Sequence, residues 1–147
     1  MNQEKDYSTS IVVDKSPTEV FNAITNVRGW WQGEITGQTV ELNDEFTYQM
    51  EPYHISKQKI VEFVPNKKLV WLVTESQINF VADKKEWLNT RIIFDITPVE
   101  NKTKLTFTHH GLVPAIECYG GCSGAWGQLI EQSLYSLITT GKGVDVF

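Results

Sequence analysis

Leu105-Thr-Phe-Thr-His-His110 is the part of the sequence that says most about the fold, and it is followed by a break at Gly111-Leu-Val-Pro114. Strand alternation places the side chains of Leu105, Phe107 and His109 on one face. That face is either part of a core or the wall of a pocket. The stretch therefore joins a half-buried sheet to the C-terminal part of the chain.

The segment after Pro114 has the apolar spacing of a helix. Its stripe recurs at three- and four-residue intervals and consists of Trp126, Ile130, Ser133, Leu134 and Leu137. We expect a helix that begins between Glu117 and Ser123 and ends near Thr140, because Gly141-Lys-Gly143 is a typical helix stop.

Four glycines lie early in this helix, at positions 120, 121, 124 and 127. Each interior glycine costs a helix roughly 0.5 to 1 kcal/mol relative to alanine. The cluster therefore predicts that the helix closely approaches either the sheet or a ligand.

The rest of the chain reads as one strand, short helices and a run of strands. After a strand near 7–14, Ser16-Pro-Thr-Glu19 is typical of a capping box that starts a helix. Further β-type runs lie near 35–40, 45–51, 55–64, 68–78, 87–98 and 102–110. Short turns between consecutive strands favour an antiparallel sheet, and one long helix can cover it only if the sheet curls. The predicted class is α+β.

Length and charge exclude several kinds of protein. The 147 residues fit a single domain, 1–147, and the net charge of −5 with scattered lysines disfavours nucleic-acid binding. We find neither an apolar run approaching 18 residues nor a basic and apolar leader, so we expect a cytoplasmic protein without a membrane span.

Cys118 and Cys122 are expected to be reduced thiols, since their spacing at a helix entrance disfavours a strain-free disulfide.

Seven segments, in order along the chain, carry a family resemblance. They are Ser16-Pro-Thr-Glu-Val-Phe21, Trp30-Trp31, Phe46-Thr-Tyr-Gln-Met50, Ile60-Val-Glu-Phe-Val-Pro65, Leu69-Val-Trp71, Leu105-Thr-Phe-Thr-His-His-Gly-Leu112 and Gly124-Ala-Trp126. Together they resemble the START-like superfamily (the SRPBCC group), and within it the bacterial relatives of the domain that activates the ATPase of the ninety-kilodalton heat-shock chaperone. The resemblance covers nearly the whole chain. It implies a helix-grip fold with a cavity between the curled sheet and the terminal helix.

Strand parity then selects the side chains that would line such a cavity. The ligand-binding candidates are Phe46, Tyr48, Met50, Trp71, Val73, Ile92, Phe94, Phe107, His109, Trp126 and Ile130. Any one of them could instead be an ordinary core residue. As a set they are bulky and aromatic, as the walls of small-molecule sites usually are.

His109 is the candidate polar group of the cavity. It could orient a ligand carbonyl or act in acid–base chemistry, or it could be a hydrogen-bonded core histidine. Desolvation should hold its pKa below about 6.5. His110 should face the opposite side of the strand. For that reason a zinc site made from these histidines and the cysteines is disfavoured.

No catalytic motif supports an enzyme. The sequence has no nucleophile elbow, phosphate-binding lysine loop, dinucleotide fingerprint or zinc-protease motif, and Glu62 and Glu75 are expected on the solvated face. No cofactor is expected. Since the superfamily spans lipid carriers, cyclases, hormone receptors and chaperone helpers, the resemblance leaves function open.

Three functional hypotheses follow. The first is a carrier or sensor of a small apolar or aromatic ligand. The second is a co-chaperone that acts through a protein surface, as a monomer or weak homodimer. The third is a small cyclase or hydrolase that uses His109.

Overall fold

The computed structural model describes residues 6–31, 33–50, 54–79, 82, 85, 87–113 and 119–145. In those residues the strands are β1 (Tyr7–Val13), β2 (Glu34–Gly37), β3 (Glu45–Met50), β4 (His54–Val64), β5 (Lys68–Ile78), β6 (Arg91–Val99) and β7 (Lys102–His110). Helix α1 (Pro17–Thr25) and a 3₁₀ turn (Val27–Gly29) follow β1. The C-terminal helix consists of α2 (Tyr119–Gln128), a π-helical segment (Leu129–Leu134) and α3 (Tyr135–Thr140).

The strands form one antiparallel sheet in the order β1-β7-β6-β5-β4-β3-β2. β2 to β7 are a meander in which each strand pairs with the next. β1 pairs with β7, so that Tyr7 lies opposite His109. The predicted fold class, a curled antiparallel sheet around a long C-terminal helix, is confirmed.

The inner face of β7 is fully buried, as its alternation predicts. Leu105, Phe107 and His109 are each 0% exposed, and the ring of Phe107 lies 4.7 Å from that of Trp126 on the helix. On the opposite face, His110 is exposed and its Nδ1 lies 2.7 Å from Asp6 Oδ2. Glu62 and Glu75 are exposed, also as predicted.

The ends of both helices follow from local sequence. In α1 the Ser16 hydroxyl accepts a hydrogen bond from the Glu19 backbone N–H at 3.2 Å, and the Glu19 carboxylate accepts one from the Ser16 N–H at 3.1 Å. This is the predicted capping box. The C-terminal helix ends at Gly141, whose φ of 88° is the left-handed conformation that glycine adopts most easily.

The structure corrects two expectations. Gly120 and Gly124 face open space, so the prediction of close packing at the helix glycines is wrong for these two positions. The strand expected near 87–98 begins only at Arg91, because Trp87–Asn89 form a turn. This turn places the indole of Trp87 in the interior, where it is 4% exposed.

Within the part of the chain that is described, the helices are too short or too polar to traverse a lipid bilayer.

Candidate functional site

A cavity of about 220 Å³ lies between the sheet and the C-terminal helix and is partly open to solvent. The sheet contributes Tyr48 and Met50 from β3 and His54, the first residue of β4. Trp31 and Trp87 line it from the segments that precede β2 and β6. The helix supplies the remaining wall with Gly121, Cys122, Ala125, Trp126 and Leu129.

Stacked aromatic rings make the walls flat. Trp31 lies parallel to Tyr48 with ring centroids 4.0 Å apart, and Trp87 lies nearly parallel to Trp126 at 5.7 Å. Trp31 and Trp126 also meet, at 5.0 Å. Because each of these rings is held by another, the walls are rigid as well as apolar.

His54 is the imidazole that lines this cavity. Its ring and that of Trp87 form a T-shaped pair with centroids 4.4 Å apart, and its Nε2 lies 2.9 Å from the Ser56 hydroxyl. Gln58 Nε2 donates to the same hydroxyl at 2.6 Å. Burial lowers the pKa of His54 to about 4, so the ring is neutral at pH 7.

His109 lies behind the cavity wall and holds it in place. Trp126 Nε1 donates to His109 Nδ1 at 3.0 Å, and His109 Nε2 lies 2.8 Å from the Thr90 hydroxyl. The Thr90 hydroxyl in turn donates to the backbone carbonyl of Trp87. Since an indole N–H can only donate, Nδ1 of His109 is the acceptor and its proton lies on Nε2.

This network links two of the aromatic walls through β7. Burial, the main cause, and the nearby His54 lower the pKa of His109 to about 3. Both ring nitrogens of His109 are hydrogen-bonded and its side chain has no exposed surface. Of the three roles that the sequence left open for it, the structure therefore matches the hydrogen-bonded core histidine. This geometry disfavours a role for it in acid–base catalysis.

The structure separates the sequence-predicted ligand residues into two groups. Tyr48, Met50 and Trp126 lie on the cavity, and ligand binding by them stays a prediction. The others are buried in the core and are absent from the cavity wall: Phe46, Trp71, Val73, Ile92, Phe94, Phe107, His109 and Ile130. Trp71 supports the wall from behind, since it stacks on Trp31 at 5.9 Å.

Sequence reasoning missed Trp31, His54 and Trp87 as residues of the cavity wall. A signal for His54 was available: His54, Ser56 and Gln58 alternate with Lys57 and Lys59. The lysines mark the outer face of β4, so three polar side chains must point inward, which is expensive unless they have partners. Trp87 had no such signal, because its position depends on a turn that the pattern of residues 87–98 does not reveal.

The described residues contain no cluster of three His, Cys, Asp or Glu side chains that could hold a metal ion. Cys122 is a free, buried thiol, and Cys118 lies outside the described residues.

Three enclosed polar atoms have no partner in the described chain: Gln58 Oε1, Trp71 Nε1 and Trp87 Nε1. Trp87 lines the cavity, and Gln58 donates to the Ser56 hydroxyl that contacts His54.

The curled antiparallel sheet around a long C-terminal helix is a helix-grip fold. The model of the AHSA1 family, "Activator of Hsp90 ATPase homolog 1-like protein", matches residues 14–139. The chain belongs to this family. No curated protein shows significant sequence similarity to it.

Several solved structures share the fold. The Aha1 dimer from Colwellia psychrerythraea, solved in solution, has a TM-score of 0.77 and 22% identity over 95% of this chain and 99% of that one. Protein SSP2350 from Staphylococcus saprophyticus has a TM-score of 0.71 and 17% identity, covering 97% and 98%. Protein MLL2253 from Mesorhizobium loti has a TM-score of 0.70 and 17% identity, covering 93% and 99%. At such identities the likeness concerns the fold alone.

Proposed function

We propose that this protein binds a small, largely apolar molecule of aromatic character in the cavity between the sheet and the C-terminal helix. The observation that carries the proposal is the cavity itself, about 220 Å³ with three tryptophans and a tyrosine in its walls. Protein cores seldom leave voids much larger than a water molecule. An engineered apolar cavity of about 150 Å³ in another protein binds benzene, so this one has room for a one- or two-ring compound.

The energetics support a ligand. A void of this size, if dry and fully enclosed, would cost roughly 5 kcal/mol at about 24 cal/mol per Å³, and the partial opening to solvent makes this an upper bound. That is a large part of the total stability of a typical domain. A ligand that fills the space recovers the lost contacts.

The test is thermal unfolding in the presence of a panel of small uncharged aromatic compounds. A ligand at 100 times its dissociation constant stabilises the folded state by about 2.7 kcal/mol, and each kcal/mol raises the melting temperature by about 2–4 °C at this chain length. Ala125→Leu should abolish the shift because it fills the cavity from the helix side. Gly124→Ala, on the outer face of the same turn, should keep it.

An equal shift in both variants would contradict the proposal, since the ligand would then bind elsewhere. The absence of any shift across the panel would contradict it as well.

Family membership favours a second candidate, which is action on a ninety-kilodalton heat-shock chaperone through a protein surface. We propose for this role a monomer or weak homodimer, because the Colwellia relative is described as a dimer. The test is the ATP turnover of the purified chaperone with and without the protein, together with light scattering of the protein alone. Stimulation that is equal in the native protein and in Ala125→Leu would assign this activity to a surface rather than to the cavity.

A further inference from the structure

The hydrogen bonds around Ser56 define which ring nitrogen of His54 carries its proton. Ser56 is fully buried, and its hydroxyl has one proton to donate. Gln58 Nε2 donates to the oxygen of that hydroxyl. Among the described residues the hydroxyl has no other hydrogen-bond partner, so its buried proton is satisfied only when His54 Nε2 accepts it.

A neutral imidazole carries a single N–H, so the proton of His54 lies on Nδ1. The side-chain hydrogen bond that His54 makes to a described residue involves Nε2. Its Nδ1–H therefore has no partner in the described part of the chain, and His54, which is 8% exposed, borders the cavity. A donor at the wall of an apolar cavity is costly when it lacks a hydrogen-bond partner, and a ligand oxygen would supply one.

We propose that His54 Nδ1–H is the hydrogen-bond donor that selects the ligand, and that the ligand is an uncharged one- or two-ring aromatic molecule with an acceptor oxygen, such as an aryl ketone or ester. Ser56 and Gln58 are positioning residues that fix the proton on Nδ1. This inference rests on the proposed function and specifies its ligand class.

The charge of the cavity agrees with an uncharged ligand. None of the described residues that line it is a lysine or an arginine, and the histidine among them is neutral at pH 7 because burial lowers its pKa to about 4. A carboxylate would be buried without a counter-charge, which costs several kcal/mol. A ketone carbonyl needs only the single donor that His54 supplies.

The two buried histidines therefore differ in tautomer, which can be observed without a ligand. His109 carries its proton on Nε2 because Trp126 donates to its Nδ1, whereas His54 carries its proton on Nδ1. Long-range ¹H–¹⁵N correlation spectra of the imidazoles, assigned with His110→Gln and His54→Phe, distinguish the two forms. We expect opposite patterns for His54 and His109 at pH 7. An Nε2–H tautomer for His54 would overturn the proposal, because Nδ1 would then have no proton to donate.

Ligand selection is tested with three probes, which are acetophenone, ethylbenzene of nearly the same shape, and benzoate. Ethylbenzene is the more hydrophobic of the two neutral probes, so the informative quantity is a change in their affinity ratio between proteins. His54→Phe keeps the aromatic contacts with Trp87 and Tyr48 but removes the donor. It should lower the affinity for acetophenone relative to ethylbenzene by about twofold to tenfold, as expected for one neutral hydrogen bond. His110→Gln should leave the ratio unchanged, and benzoate should bind at least tenfold more weakly than acetophenone.

The outcomes separate this inference from the proposed function. If both neutral probes bind but the ratio is the same in His54→Phe, the inference is overturned and the cavity remains a binding site. If no probe binds although the tautomers are as stated, the proposed function fails and the ligand class fails with it. In the native protein, acetophenone but not ethylbenzene should also shift the Nδ1–H signal of His54 strongly, and this readout does not depend on any variant folding.

Discussion

At the level of single residues, the molecule uses its two buried histidines differently. His109 has both nitrogens paired and ties Trp126 to Thr90, so it belongs to the scaffold. His54 is paired on one side and borders the cavity on the other. The residue that strand alternation singled out, His109, thus supports the site. The residue that lines the site, His54, lies on β4, three strands away from β7 in the sheet.

Both histidines make stability depend on pH. Burial lowers the pKa of His54 to about 4 and that of His109 to about 3, whereas in the unfolded chain each returns to about 6.5. As the pH falls below 6.5, the unfolded state takes up protons that the folded state does not. We expect the free energy of unfolding to be highest above pH 6.5 and to decrease by up to about 1.4 kcal/mol per pH unit for each histidine towards pH 4.

Urea unfolding between pH 7 and pH 4.5 measures this slope. His54→Phe should reduce it by about half. A free energy of unfolding that is constant over this range would contradict the burial of both rings in neutral form.

The hydroxyl of Thr90 should be important for stability. It accepts from His109 and donates to the carbonyl of Trp87, which also accepts from the Thr90 backbone N–H. Thr90→Val therefore leaves the buried Nε2–H of His109 without a partner and removes one of the two hydrogen bonds of that carbonyl. We expect a loss of roughly 1–3 kcal/mol in chemical denaturation. Thr97→Val, on an exposed position of β6, is the matched control and should change stability by less than about 0.5 kcal/mol. Equal effects of the two substitutions would show that the network is not formed.

At the level of secondary structure, the glycines of the C-terminal helix differ in what they do. Gly124 faces open space in a helical conformation, so Gly124→Ala should stabilise the protein by roughly 0.5–1 kcal/mol. Gly141 has a φ of 88° at the helix end, and Gly141→Ala should cost about 1 kcal/mol because an L residue is strained there. Thermal unfolding of both variants compares the two. Destabilisation by Gly124→Ala would mean that the helix approaches another surface at that position.

The elements with strict local rules were predictable. The capping box at Ser16 and the inward face of β7 follow from spacing alone, since one face of a strand repeats every second residue. The π-helical segment Leu129–Leu134 and the turn at Trp87 were not predicted. Both depend on how the helix and the β5–β6 connection fit against the rest of the molecule, and no local pattern records that fit.

The cavity was the least predictable feature for the same reason. Parity shows which side chains point inward, but Phe94, Phe107 and Ile130 pack fully while Tyr48 and Trp126 border a gap. Whether inward side chains meet or leave space depends on their combined volume across several elements. A polar stripe on the inner face of a strand, such as the one that begins at His54, is the one local signal of a site.

At the level of the whole molecule, the sheet, the segments before β2 and β6, and the C-terminal helix together form the aromatic lining of the cavity. The five tryptophans fall into two groups. Trp31, Trp87 and Trp126 line the cavity, whereas Trp30 and Trp71 are buried in the core behind it. Each tryptophan gives one indole N–H signal. The protein therefore carries its own reporters of where a ligand binds.

The most direct measurement is a titration of these five indole signals in ¹H–¹⁵N spectra with acetophenone. We predict saturable shifts that follow one dissociation constant and are largest for Trp31, Trp87 and Trp126, with smaller changes at Trp30 and Trp71. Ala125→Leu should suppress them. Indole signals that stay unchanged, or shifts confined to residues outside the cavity, would contradict the account that this protein is a cavity-based binder of small aromatic molecules.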